Sequence, residues 1–294
     1  MNAKFNLPDF IQADRPVSIY SNLKAEAPYI FLPNSEIASV FGIFPGAIWN
    51  GGGMSFGGQK IWTREEMKSI IEYYNFELHI PLRFTFTNPL LAQEHVYDTF
   101  CNVIAECGHN GYNEILVVSP ILEAYLRERY PNYKYCRSII GTREIPCDLS
   151  DKYDLTVMQR IKNNDWEFLE QIPQEKRHKV EFLCTDPCPD NCPRLYTHYR
   201  DFARGTLEFS TSDESQRCNM FEVKGRFKHH YTTGLKTYIS REMIDNEYLP
   251  RGFNQFKISG RGSFIGAMNG IVEYMIKPEY RQDVRDEIIS AGFR

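Results

Sequence analysis

Cys184, Cys188 and Cys192 stand four residues apart in the stretch Cys184-Thr-Asp-Pro-Cys188-Pro-Asp-Asn-Cys192-Pro, and a further cysteine, Cys218, follows. Pro187, Pro189 and Pro193 hold this stretch in turns, because proline cannot continue a helix. Thiolates at that spacing can reach one metal centre. Four of them complete either a structural zinc site or a [4Fe–4S] cluster. Zinc sites more often show two close pairs, whereas three close cysteines with one distant are commoner for iron–sulfur. The expected cofactor is therefore a [4Fe–4S] cluster, with zinc as the alternative. The spacing is not the three-then-two pattern of radical-SAM enzymes, so that chemistry is not inferred. His198, His229 and His230 share the segment and could replace a thiol, but four thiols suffice and these read as ordinary hydrogen-bonding histidines. Cys101, Cys107, Cys136 and Cys147 show no ligand spacing, and burial is the plain reading for them.

Other candidate chemistry is weaker. Gly51 to Gly53, with Gly57 and Gly58, could bring backbone amides near an anion. No GK[ST] follows, however, and no proper GxGxxG opens a helix, so the stretch reads as a turn. Ser119 and Ser138 lack a nucleophile elbow. The aromatic residues are dispersed, which favours core packing over a base-stacking platform.

The elements that must position the cysteines alternate along the chain. Residues 1 to about 15 read as an arm, and the first strand is Pro16 to Tyr20, with Tyr29 to Leu32 as a rival. A β run follows at Ala38 to Phe44. Thr63-Arg-Glu-Glu66 is a capping box opening a helix with apolar positions at Met67, Ile70, Ile71 and Tyr74. Further strands are expected at 80–86, 114–118, 133–140, 154–158, 178–183 and 255–259, with helices at 95–106, 121–130, 166–171, 264–276 and 281–290. Short apolar strands alternating with helices imply parallel pairing with both faces covered. About eight such units in 294 residues give a (β/α)8 TIM-like barrel in a single domain over 1–294, with an open doubly wound sheet as runner-up.

Residues 186–254 break the alternation and read as an irregular, cysteine-rich insertion before the last strand, capping one end of the barrel. Loops this long inside a compact domain are usually functional. In such barrels the functional face lies at the C-terminal ends of the strands. Cys184, Lys257 and Arg261 all fall at those ends, as do Asn50 to Gly53, Thr87-Asn88, Ser119 and Gln159-Arg160. Lys257 and Arg261 are the residues expected to bind an anionic substrate group; for Arg261 a structural salt bridge is an equal alternative.

The formal net charge of −4, with 42% hydrophobic and 24% charged residues, describes a globular protein without the basic character that would indicate nucleic acid. No apolar stretch approaches the roughly 20 residues of a membrane helix. The N-terminus lacks the apolar core of a signal peptide, so a cytoplasmic location is expected. Eight cysteines in a reducing compartment fit ligation or burial better than disulfides.

With these residues in place, the chain resembles the U32 family of collagenase-like peptidases. Phe256-Lys-Ile-Ser-Gly-Arg261 before a helix is similar to that family's Lys-Ile-Glu-Gly-Arg signature, with Ser259 in place of the glutamate. Asn113-Glu-Ile-Leu-Val-Val-Ser-Pro120, then a helix ending in Arg129-Tyr-Pro131, is similar to its middle. The resemblance spans roughly residues 80 to 280. It implies a TIM-like barrel, a [4Fe–4S] cluster on Cys184, Cys188, Cys192 and Cys218, and roles for Lys257 and Arg261. Several members of the family act in hydroxylation of RNA or of the ubiquinone ring rather than in proteolysis. The cysteine spacing here is the chain's own, and the chain ends soon after the barrel, without the further C-terminal domain of many members. The leading reading is an iron–sulfur barrel enzyme, or enzyme subunit, in oxygen-independent hydroxylation or a related modification of RNA or a small aromatic substrate. A non-catalytic, zinc-stapled barrel that binds a protein partner is the second, and a protease the third, since no nucleophile–base pair is visible.

Overall fold

Eight parallel strands close into a barrel in the order of the sequence, each paired with its chain neighbours and the last with the first. The structure, a computed structural model, describes residues 1–51, 61–140, 149–186, 188, 192–210, 235–260, 262 and 264–292. The strands are β1 (Ala3–Pro8), β2 (Ser35–Gly42), β3 (Leu82–Phe86), β4 (Glu114–Val117), β5 (Lys134–Arg137), β6 (Leu155–Val157), β7 (Val180–Leu183) and β8 (Gln255–Lys257). Between and after them run α1 (Asp14–Glu26), α2 (Arg64–Glu72), α3 (Thr99–Gly108), α4 (Pro120–Arg129), α5 (Trp166–Leu169), α6 (Leu195–Glu208), α7 (Phe264–Met275) and α8 (Arg281–Gly292). This is the (β/α)8 architecture expected from the alternation.

The first strand corrects the sequence reading. It is Ala3–Pro8, not Pro16 to Tyr20 or Tyr29 to Leu32. Phe5 and Leu7 pack outward into the helical shell while Asn6 faces the barrel interior, and inward polar residues hid the strand. Val17 and Tyr20 instead occupy the buried face of α1, with Pro16 in its opening turns, where a missing N–H costs nothing. The capping box at Thr63 is present in both directions: Glu66 N donates to Thr63 Oγ1 and Thr63 N to the Glu66 carboxylate. The helix expected over 95–106 is divided, because Asp98 leaves a 3-10 turn (Gln93–Tyr97) and caps α3 by accepting from Cys101 N at 2.8 Å.

Register advances one residue per strand around the barrel, the shear this architecture requires. Inward residues from alternate strands therefore stack in layers. One layer holds Asn6, Arg83, Cys136 and Glu181; the next one towards the C-terminal ends holds Phe41, Leu116, Val157 and Lys257. The first of these is ionic and fully buried. Arg83 Nε donates to Glu114 at 2.6 Å, its Nη1 donates to Glu181, and Asn6 Nδ2 reaches Glu181 at 2.7 Å. Ser39 Oγ donates to Asn6 Oδ1 at 2.6 Å. With Lys257 one layer above, two cations offset two carboxylates inside the barrel, which is how buried charge becomes tolerable.

Candidate site at the C-terminal mouth

Lys257 ends β8, one layer above Arg83 and Glu181 and one below the inward Thr85 and Leu183. It is 8% exposed, with Nζ 4.0 Å from the centre of the Phe41 ring. An ammonium over an aromatic face is held by the ring quadrupole while its charge stays directed at the interior. Arg261, the other predicted cation, lies outside the described residues, as do Cys218, His229 and His230.

Among the described residues, Cys184, Cys188 and Cys192 differ in their surroundings. Leu183 faces the barrel interior, so its neighbour Cys184 faces outward, fully buried in the helical shell with Ile239, Tyr248 and Tyr274. Burial holds that thiol well above its ordinary pKa and keeps it protonated, with the Glu181 charge acting in the same direction. Cys188 and Cys192 are partly exposed on the segment that leaves β7. Among the described residues no three His, Cys, Asp or Glu side chains gather so as to hold a metal ion. Among the described residues, Cys188 and Cys192 stand on the partly exposed segment after β7 while Cys184 is buried in the shell.

What fixes Cys188 is Arg160, which the sequence placed at a strand end without a role. Arg160, three residues past the register-paired part of β6, is 3% exposed. Its Nη1 donates to the Cys188 carbonyl at 2.8 Å, and its Nε stands 3.8 Å from the Asp186 carboxylate. Asp186 in turn accepts from Cys188 N at 3.0 Å, an Asx turn. A buried guanidinium thus holds both ends of the turn that presents Cys188 at the rim.

Helix α6 follows Cys192 and replaces the irregular stretch expected there; the alternating segment at 236–239 is likewise turn rather than strand, and 220–223 lies outside the described residues. Asn88, just past β3, donates from Nδ2 to Ile48 O at 2.8 Å and to Ala203 O, within α6, at 3.2 Å. β3 and β7 face one another across an eight-stranded ring. A helix that leaves β7 and is tied to the end of β3 therefore passes over the mouth. Its His198 stacks on Phe202 at 4.6 Å, and burial, then the Arg194 charge, lower its pKa, which favours the neutral imidazole.

The opposite wall is equally fitted. Gly51 passes so close to β3's end that a Cβ there would come within 2.5 Å of Asn88 Cα and of the Thr87 carbonyl. Only glycine allows that approach, which gives one of the predicted turn glycines a definite reason. The residues 52–60 lie outside the described ones. Thr85 donates to Gly42 O and Asn50 Oδ1, each at 3.3 Å. Thr87, the next inward-facing residue on this strand, is fully buried and its hydroxyl has no partner. Sequence reasoning placed Thr87 at a strand end but had no signal for an unsatisfied hydroxyl.

No family model matches the sequence, and no curated protein matches it either. The fold is similar to that of the U32 peptidase Mk0906, with a TM-score of 0.53 over 90% of this chain and 94% of that one at 11% identity. The expected distant likeness to U32 peptidases is therefore present at the level of fold. A dihydrodipicolinate synthase from Agrobacterium tumefaciens strain C58 also aligns, over 98% of this chain and 96% of that one at 14% identity, but its TM-score of 0.29 carries no argument. Among the described residues no helix is long and apolar enough to cross a membrane.

Proposed function

We propose that this chain is an enzyme, or enzyme subunit, that modifies a substrate held in the C-terminal mouth of the barrel beside a metal centre on the β7 rim. The centre is a [4Fe–4S] cluster or, as the alternative, zinc, built on Cys188 and Cys192 with Cys218. Cys184 is left out of the set because it belongs to the apolar shell. The observation that carries this reading is the Arg160 brace: a buried cation spent on one cysteine turn at the mouth fixes a thiol that needs fixing. An iron–sulfur centre would supply redox chemistry at the rim. The protein's own groups would bind and orient. Lys257 would meet an anionic group of the substrate, and the Phe41 face beneath it would pack an apolar or aromatic part.

Of the substrates expected, a small aromatic molecule suits this mouth better than RNA. The net charge is −4 and α6 lies over the opening. Anaerobic purification with an absorption spectrum and analysis for iron, sulfide and zinc tests the reading. Iron with matching sulfide and a brown chromophore is expected. Stoichiometric zinc would replace the redox reading with the non-catalytic, zinc-stapled one, and a metal-free, colourless protein would overturn both.

A further inference from the structure

A groove of about 450 Å³ runs along the outer flank of the barrel, with the 3-10 turn at Gln93–Tyr97 as one wall and α4 as the other. On α4 it is lined by Ile121, Ala124, Tyr125 and Glu128, which keep the three- and four-residue spacing of a single helix face. The solvent side of an outer helix is expected to be polar. Here Ile121 is 40% exposed, and Tyr97 on the opposite wall is 64% exposed. Apolar groups gathered in an exposed groove mark a binding surface. Its aromatic part is already fixed in place. Tyr125 makes edge-to-face contacts with both Trp49 and Tyr97, at 6.3 and 5.7 Å, and its hydroxyl donates to Asn102 Oδ1 at 2.7 Å. Glu128 has no hydrogen-bond or ion-pair partner among the described residues, and neither does the Tyr97 hydroxyl.

We infer that this groove docks a proline-rich, basic segment of a partner protein. From Ile121 to Glu128 the helix rises about 10 Å. One turn of polyproline II, three residues long, rises about 9 Å. A helix and a turn present no strand edge with which an extended peptide could pair its N–H groups. A ligand with few such groups therefore loses least on entering, and proline has none. Aromatic side chains lining a groove are the surface on which such segments pack. The Tyr97 hydroxyl can donate to a ligand carbonyl, which polyproline II leaves unbonded. Glu128 sets the sign of the residue next to the prolines as positive. The net charge of −4 draws a basic partner from a distance in the same sense.

Fluorescence anisotropy with the full chain and a labelled Arg-Pro-Pro-Leu-Pro-Pro-Arg peptide tests this; arginine stands at both ends because the groove does not set a direction. The wild-type protein should bind it saturably. The same peptide with glutamate at both ends should bind roughly fivefold more weakly, the upper range for an exposed ion pair. A peptide with alanine for every proline should lose most of its binding. Tyr97→Ala should weaken the arginine peptide about tenfold, as loss of an aromatic anchor does, and Glu128→Arg should reverse the order of the two charged peptides. Both substitutions fall on exposed side chains and should leave the melting temperature unchanged. A wild-type protein that binds no peptide overturns the inference, as does arginine-peptide binding that is unaltered in Tyr97→Ala or by replacing the prolines. A preference for arginine that survives in Glu128→Arg also overturns it, and this holds even if Tyr97→Ala fails to fold. A dimer in sedimentation that Glu128→Arg or Tyr97→Ala separates would overturn it in favour of a second copy of the chain as the occupant. None of these outcomes depends on which metal the rim holds, so failure here and failure of the metal reading are told apart.

Discussion

At the scale of single residues, the cysteines divide by surroundings rather than by spacing. Cys101, Cys136 and Cys184 are buried, and burial is the leading cause that raises each thiol well above its usual pKa; Arg83 pulls Cys136 back only in part. Cys188 and Cys192 reach solvent. Native, metal-stripped protein treated with a maleimide should therefore be modified at Cys188 and Cys192 within minutes, with Cys101, Cys136 and Cys184 untouched until denaturant is added, as peptide mapping would show. Modification of Cys184 at the rate of Cys188 would mean that it faces the rim after all. Cys184→Ser should lower stability by about 1–3 kcal/mol in urea denaturation, because a more polar hydroxyl would enter an apolar shell where the Phe182 carbonyl, now 3.8 Å from the thiol, is the acceptor at hand. The even spacing in the sequence suggested one ligand set. The side-to-side alternation of a strand sets Cys184 apart from the other two: Leu183 points in, so Cys184 points out. The end of β7 at residue 183 was legible in the sequence; which of its alternate residues face inward was not.

At the scale of elements, the turn held by Arg160 and the helix that follows it work as a unit. Arg160→Met should free the Cys188 turn and raise the maleimide rate at Cys188 several-fold, with far-ultraviolet circular dichroism unchanged; an unaltered rate would show that the turn stands without its brace. Helix α6 carries a pH signature. His198 has a folded pKa below its ordinary 6.5, first through burial and then through Arg194. Between those two values the unfolded chain holds a proton that the folded one does not, so stability falls as pH drops from about 6.5 to the folded value and no further. The difference between wild type and His198→Phe in denaturation midpoint should change across that window and be flat above it. The sequence announced the capping box of α2 and the apolar periods of α2 and α7 plainly. It concealed β1, whose inward positions are polar, and α6, whose polar residues read as an irregular loop.

At the scale of the whole molecule, the barrel is built around charge in its lower layers, with Leu116 and Val157 beside Lys257 and Phe41 in the layer above. Arg83 is fully buried between Glu114 and Glu181, and its own pKa lies well above the usual value: burial acts against the charge, but the surrounding carboxylates prevail. Removing one partner of a buried ion pair strands the other, so Arg83→Met should cost about 3–5 kcal/mol by chemical denaturation. Combining it with Glu181→Gln should recover part of that loss, and a double variant less stable than the single one would refute the coupling. The eight-fold alternation was legible in the sequence because strands buried on both sides read as apolar runs. Charged residues within those runs, among them Arg83 in Leu-Arg-Phe-Thr-Phe and Glu181 in Val-Glu-Phe-Leu, were the available signal that the interior is ionic. They became interpretable only once register placed them in one layer.

The central claim, that the rim thiols carry the centre and the core thiol does not, is tested most directly by metal content in single cysteine variants purified without oxygen. Cys188→Ser and Cys192→Ser should each lose most of the bound metal, while Cys184→Ser, though less stable, should keep it in full. Loss of metal in Cys184→Ser with retention in the other two would contradict the account.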